Sequence, residues 1–272
     1  MSEFEIAAVG IVGAGQMGGL IARHLLAAGW PLSVVDPSES ACAPLQAQGA
    51  RVVPTPAHLA AEADLVLVTV VDDEQTREVV AGRNGLLAGA RPGTIVAICA
   101  SVHPDTCRRL AAAAAEKEVD VVDVALVGGA RYAGTRALTL LCGGPEHVLS
   151  ACEPVFRSFS INVCHLGDVG AGQIGKTVNN ILLWAAIRAD VEALRLGRAF
   201  GVAPSRLRAA AAIGSGANRV LLEWAQQGLR WPKKDLEIAL AMAEEAGVEM
   251  PLVAELARQM QDLSVDDLQD LR

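Results

Sequence analysis

The stretch Ala8-Val9-Gly10-Ile11-Val12-Gly13-Ala14-Gly15-Gln16-Met17-Gly18 decides how the rest of the chain reads. A short apolar run ends directly in glycines spaced G-x-G-x-x-G, and an Ala/Leu-rich amphipathic segment follows to about Ala28. That order predicts a strand, a tight turn and the start of a helix. Gly13 would make the turn, Gly15 would let a pyrophosphate approach the backbone, and Gly18 would let the helix pack on the strand. The helix N-terminus offers free N–H groups and a partial positive charge to phosphate. Gln16 and Met17 complete the loop as candidates on the cofactor side.

This is the phosphate loop of a Rossmann βαβ unit, and the next strand supplies its companion. Asp36 closes the run Leu32 to Val35, where an acidic residue accepts hydrogen bonds from the adenosine ribose hydroxyls. Its charge would repel a 2′-phosphate, and Pro37 to Cys42 contains no Arg or Lys, so the expected cofactor is NAD, with NADP the less favoured choice. The alternative is that Asp36 only opens the Asp36-Pro37 turn. Val71, just past the strand candidate Leu65 to Val70, joins the cofactor-side candidates.

From Ile6 to about Cys164, β-branched runs alternate with amphipathic segments, which predicts a mainly parallel sheet with crossover helices. Strands are expected at Ala8 to Val12, Leu32 to Val35, Leu65 to Val70, Thr94 to Cys99, Asp120 to Asp123 and Leu138 to Cys142. Helices are expected near Gly15 to Ala28, Ser38 to Gln48, Asp73 to Val80 and Pro104 to Lys117. After Gly172 the strands stop, and one helical pattern runs from about residue 173 to 200. The fold class is therefore α/β: an N-terminal Rossmann dinucleotide-binding domain, residues 1–168, plus an all-helical C-terminal domain, residues 169–272, joined by a long helix. Such a helix suits a domain bridge or a dimer interface.

Composition narrows the partners. A net charge of −8 over 272 residues supplies no clustered Lys and Arg for nucleic acid, and 3% aromatics leave few stacking platforms. The hydrophobic share of 52% is spread along the chain, and no window reaches the roughly 18 apolar residues of a membrane span. The acidic start Met1-Ser2-Glu3-Phe4-Glu5 does not read as a secretory signal, which points to a cytoplasmic protein. Six scattered cysteines form no C-x-x-C pair and the histidines lack ligand spacing, so neither disulfides nor a metal is expected. The partner left is a small molecule.

A second constellation lies at Gly170-Ala171-Gly172-Gln173-Ile174-Gly175-Lys176-Thr177-Val178-Asn179-Asn180. Lys176 and Asn180 stand at i and i+4, one face of a helix. A lysine beside an amide can polarise a substrate oxygen and exchange its proton. Trp184, one turn on, would line the same wall. The alternative for Lys176 is a solvated surface lysine.

With these segments in hand, the chain resembles the β-hydroxyacid dehydrogenase family, which includes 3-hydroxyisobutyrate dehydrogenase, tartronate semialdehyde reductase and, more distantly, 6-phosphogluconate dehydrogenase. The resemblance rests on four segments in the family's order: Gly13 to Gly18, Asp123-Val124-Ala125-Leu126-Val127-Gly128-Gly129, Gly170 to Asn180, and Lys234-Asp235-Leu236. It implies that Lys176 is the catalytic acid/base and that Asn180 orients the reacting oxygen. It also implies that Lys234 and Ser101 lie on the cofactor side, and that the Gly128-Gly129 backbone faces the substrate. A homodimer or homotetramer is implied as well. The family loop reads Asp-Ala-Pro-Val-Ser-Gly-Gly, so Val127 stands where a serine normally binds the substrate carboxylate. Arg131 could compensate as a bidentate carboxylate ligand, or be a surface arginine in a loop. Trp224 and Trp231, with Trp184, could form an aromatic wall for a bulkier substrate, although core packing is the alternative.

The function these readings imply is hydride transfer between a nicotinamide cofactor and a hydroxy acid or related alcohol. Two alternatives stand beside it. An imine reductase on the same scaffold would suit an apolar Val127 but would usually lack the lysine and prefer NADP. A non-catalytic dinucleotide-binding protein would not need the Lys176/Asn180 pair.

Overall fold

The computed structural model describes residues 5–272, so Met1 to Phe4 of the acidic N-terminus lie outside the described residues. Eight strands form one sheet: β1 Val9–Val12, β2 Leu32–Val35, β3 Arg51–Val52, β4 Leu65–Val68, β5 Ile95–Ile98, β6 Asp120–Val127, β7 Leu138–Gly143 and β8 Ser160–Gly167. Their order is β3-β2-β1-β4-β5-β6-β7-β8, and every neighbouring pair is parallel except the antiparallel β6 and β7. From β1 the chain first winds outward to β2 and β3, then returns to β4 on the other side. That reversal is the topological switch point, and ligands of open α/β sheets bind beyond the C-terminal strand ends there.

The strand sequences account for their position. β1, β4 and β5 are buried along their whole length and read Val-Gly-Ile-Val, Leu-Val-Leu-Val and Ile-Val-Ala-Ile, the continuous apolar runs of strands covered on both faces. One face packs on Ile21, Ala22 and Leu25 of the helix Gln16–Ala27 and on Val148 and Phe156 of the helix Glu146–Phe156. The other packs on Leu59, Cys107 and Leu110. Each fully buried Ile, Leu or Phe contributes about 2 kcal/mol.

The sequence reading differs from the structure at the sheet's two edges and at β6. β3 and β8 were not expected as strands: β3 has two residues, and β8 is an edge strand in which Asn162 and His165 interrupt the apolar residues. β6 runs through Val127, so most of the expected substrate loop is strand and only Gly128 lies between it and the helix Gly129–Gly134. The five helices that were expected end within about two residues of those limits, and the helix Glu146–Phe156 was not among them.

The chain divides into two compact units, one ending at Lys176 and the other spanning Thr177–Arg272. The helix Ala171–Ala199 begins in the first and ends in the second. Gly201, at φ 82°, stops the chain from continuing that helix, and Pro204 opens the next one at Pro204–Ala211. The second unit is all helix around Ile187, Val191, Trp224, Leu236, Leu256 and Leu271. All six cysteines are free thiols, and burial pushes the Cys142 thiol up to about 12. Among the described residues, no helix is long and apolar enough to cross a membrane.

Candidate active site

The glycine loop leaves β1 at the switch point. Gly13 sits at φ 94°, a left-handed conformation that favours glycine, and its N–H donates to the Val35 carbonyl at 2.9 Å. A side chain on Gly18 would collide with the Gly13 carbonyl and with Thr69. Gly15 is different. It caps the helix at φ −63°, and a Cβ built there meets no protein atom within 4 Å. Neither backbone strain nor packing inside the chain accounts for this glycine, whereas a group lying against the loop from outside does. No side chain caps the helix N-terminus and its first turn carries no acid, so its N–H groups and partial charge suit an anion. Gln16 is exposed, and Met17 packs half-buried on the core. The residues present therefore fit a dinucleotide pyrophosphate.

Asp36 forms the expected turn and also binds the glycine loop. One carboxylate oxygen accepts from the Ser38 N–H at 2.8 Å and forms the turn; the other accepts from the Ala14 N–H at 2.7 Å and holds the glycine loop to β2. Each oxygen keeps a further lone pair for a ribose hydroxyl. Thr69, which the sequence reading missed, donates its hydroxyl to the Gly13 carbonyl at 2.6 Å and so ties the loop to the end of β4. Val71 follows two residues later with its side chain exposed.

The second glycine segment is built around a carboxylate of the protein itself. Asp123, on β6, is fully buried and accepts from the N–H groups of Gly170 at 2.5 Å and Gln173 at 2.8 Å. Burial pushes its carboxyl above the usual range, and the backbone N–H groups pull the other way. A Cβ on Gly172 would collide with the Leu141 carbonyl and stand 2.7 Å from the Asp123 carboxylate. The start of the helix Ala171–Ala199 is thereby locked onto β6 and β7. One turn on, Lys176 donates from Nζ to the carbonyl of Leu126 at 2.7 Å, at the C-terminal end of β6. Val127 is next along that strand, on the same face as Asp123 by the two-residue alternation. The chain then turns through Gly128 at φ 114° and Gly129 at φ 67°. Arg131 is exposed and stacks its guanidinium 5.2 Å from the Tyr132 ring centroid. Ser101 is half-buried beyond β5, between two residues whose backbone groups bond to Gln173.

In the second unit, Asn180 is buried and accepts from the Asn179 side chain at 3.1 Å. It stands four residues after Lys176 on one continuous helix, the spacing that keeps two side chains on a common face. The tryptophans do not make the expected aromatic wall. Trp184 and Trp224 are core residues, their indole N–H groups donating to Asp235 at 3.1 Å and to the Leu268 carbonyl at 3.0 Å. Trp231 is 48% exposed, with the Arg230 guanidinium 5.5 Å from its ring. The physical reason is that an indole gains more from burial with a partner for its N–H than from facing water. The Trp184–Asp235 bond joins the long helix to the helix Pro232–Ala246, whose first turn carries Lys234, half-buried.

A mainly parallel sheet with a glycine loop at its switch point, its middle glycine open to the outside, is the frame of a dinucleotide-binding fold. The profile of the NAD-binding domain of 6-phosphogluconate dehydrogenase matches residues 8–167, and the NAD-binding domain of NADP-dependent 3-hydroxyisobutyrate dehydrogenase matches residues 170–271. The chain is 32% identical to the 3-hydroxyisobutyrate dehydrogenase of Pseudomonas aeruginosa, with 93% of this chain and 90% of that one covered. It is also 32% identical to a probable mitochondrial 3-hydroxyisobutyrate dehydrogenase of Dictyostelium discoideum, over 76% of this chain but only 64% of that protein. The Mycobacterium tuberculosis 3-hydroxyisobutyrate dehydrogenase structure with L-serine shares the fold at a TM-score of 0.87 and 23% identity, covering 98% of this chain and 99% of that one. The chain belongs to the β-hydroxyacid dehydrogenase family of oxidoreductases, which act on CH–OH donors.

Proposed function

We propose that the protein is an NAD-dependent dehydrogenase of a hydroxy acid or related alcohol, with Lys176 as the general acid/base. The observation that carries this reading is the placement of Lys176. Its Nζ is held at the end of β6 beside Val127 and Gly128, by a helix whose start is locked on a buried carboxylate. A solvated surface lysine would need no such frame.

A bound nicotinamide would supply the hydride acceptor, or the donor in the reverse direction. Gly13, Gly15, Gln16, Met17, Gly18, Asp36, Val71, Ser101 and Lys234 are the residues proposed to hold the cofactor. In oxidation, Lys176 as a free amine takes the hydroxyl proton while Asn180 donates an amide hydrogen bond to the same oxygen; in reduction, the ammonium returns that proton to the carbonyl oxygen. Asp36 favours NAD over NADP because a carboxylate accepts from a ribose hydroxyl and repels a phosphate. Residues 1–168 would carry most of the cofactor site, and residues 169–272 would complete the substrate pocket and serve assembly. Val178 and Leu182, one turn apart and exposed on the long helix, fit an interface between copies in a homodimer or homotetramer.

On the substrate side we place Val127, Gly128, Gly129, Arg131 and Trp231. Valine lacks the hydroxyl donor that the family loop normally provides, a loss of about 1.5 to 3 kcal/mol toward a charged group. The exposed Arg131, two residues past the glycine pair, offers a bidentate replacement, and a less polar or larger substrate is the other consequence. Val127 also favours, as a second reading, an imine substrate, against which stand Lys176 and Asp36.

A panel of short hydroxy acids, aryl-substituted alcohols and a cyclic imine, followed by NADH absorbance, tests the reading. Turnover of a hydroxy acid or alcohol is expected, and Lys176→Ala should lower kcat by about a thousandfold while NADH still binds. Turnover confined to the imine, or an unchanged kcat in Lys176→Ala, would overturn it.

A further inference from the structure

Gln173 is 2% exposed and makes three bonds that meet at the start of the lysine-bearing helix. Its backbone N–H donates to Asp123 at 2.8 Å. Its side-chain nitrogen donates to the Ala100 carbonyl at 2.9 Å, and its side-chain oxygen accepts from the Val102 N–H at 3.2 Å. One amide therefore satisfies the backbone on both sides of Ser101, so neither flanking peptide can rotate without leaving a buried polar group unpaired. Three residues later on the same helix is Lys176, and i, i+3 positions are neighbours.

We infer that Gln173 is a positioning residue: it fixes Ser101 against the nicotinamide half of the cofactor and sets that contact relative to Lys176. The inference rests on the proposed roles of Ser101 and Lys176. Gln173 itself, buried behind the segment, does not reach a ligand. An amide is the side chain the geometry requires, because it must donate to a carbonyl and accept from an N–H at once. Leucine fills similar space with neither function. Glutamate accepts but donates only when protonated, and when ionised it sets a charge against the Ala100 carbonyl.

The test compares wild type with Gln173→Leu and Gln173→Glu for binding of NADH and of ADP-ribose, which lacks the nicotinamide, alongside thermal unfolding and steady-state kinetics. In Gln173→Leu, NADH binding should weaken about tenfold while ADP-ribose binding stays within about twofold, because only the nicotinamide end has lost its support. In Gln173→Glu, NADH affinity should recover as pH falls and the carboxyl takes up the proton that lets it donate. A purely structural role would lower the unfolding temperature and either spare both ligands or weaken both alike, with no recovery at low pH; either result overturns the inference. Should Gln173→Leu fail to fold, the pH dependence of Gln173→Glu decides alone. Failure of the underlying reading is separate: it would show as full turnover in Lys176→Ala, whatever the Gln173 variants do.

Discussion

The chain contains nearly the same six residues twice, and uses them for opposite purposes. Gly13-Ala14-Gly15-Gln16-Met17-Gly18 and Gly170-Ala171-Gly172-Gln173-Ile174-Gly175 differ only at Met17 and Ile174. Each follows a strand and opens a helix, and each offers helix N–H groups to an anion. In the first, a Cβ on the middle glycine meets open space and the glutamine is exposed. In the second, the middle glycine faces the Leu141 carbonyl, the glutamine is buried, and the anion is the chain's own Asp123. The spacing makes a turn that can receive negative charge. Whether that charge is a ligand or a side chain is decided by what the rest of the fold places in front of the turn.

The comparison can be broken at the internal copy. The largest effect expected is from Gly172→Ala, which forces a methyl group into backbone and carboxylate and should destabilise the fold by about 3 kcal/mol. Thermal unfolding would show this as a drop of about 8 °C for a chain of this size. Asp123→Asn should cost about 2 kcal/mol, because the amide NH₂ turns a donor toward the helix N–H groups in place of an acceptor. It also sharpens the comparison through pH. Since burial holds the Asp123 carboxyl above its ordinary value, the native state binds this proton more tightly than the unfolded chain. Its contribution is therefore greatest at low pH and falls as pH rises through the elevated native value. The stability advantage of wild type over Asp123→Asn should shrink over that interval, measured as unfolding midpoints across a pH series. An advantage that grows with pH would mean that the helix N-terminus outweighs burial.

How much of this was legible in the sequence depended on how local each signal was. The loop at Gly13 to Gly18 was readable because strand, turn and helix are contiguous, and Asp36 because a βαβ unit fixes its distance from the loop. β8 was not, since an edge strand carrying Asn162 and His165 lacks the apolar run that marks its buried neighbours. Thr69 and Gln173 have partners 56 and more than 70 residues away, and only the folded sheet brings the ends of β1, β4 and β5 together. Trp184 shows the limit of helical periodicity. It gives the face a residue shares with Lys176 and Asn180, but not that the indole is buried against Leu236 and bonded to Asp235.

The claim that the first glycine segment is shaped by a ligand, and the second by the protein, is tested most directly by Gly15→Ala, read by NADH titration and thermal unfolding together. The new methyl meets nothing in the chain, so stability should stay within about 0.5 kcal/mol of wild type while NADH binding weakens about tenfold or more. Unchanged NADH affinity, or a loss of stability like that of Gly172→Ala, would contradict the account.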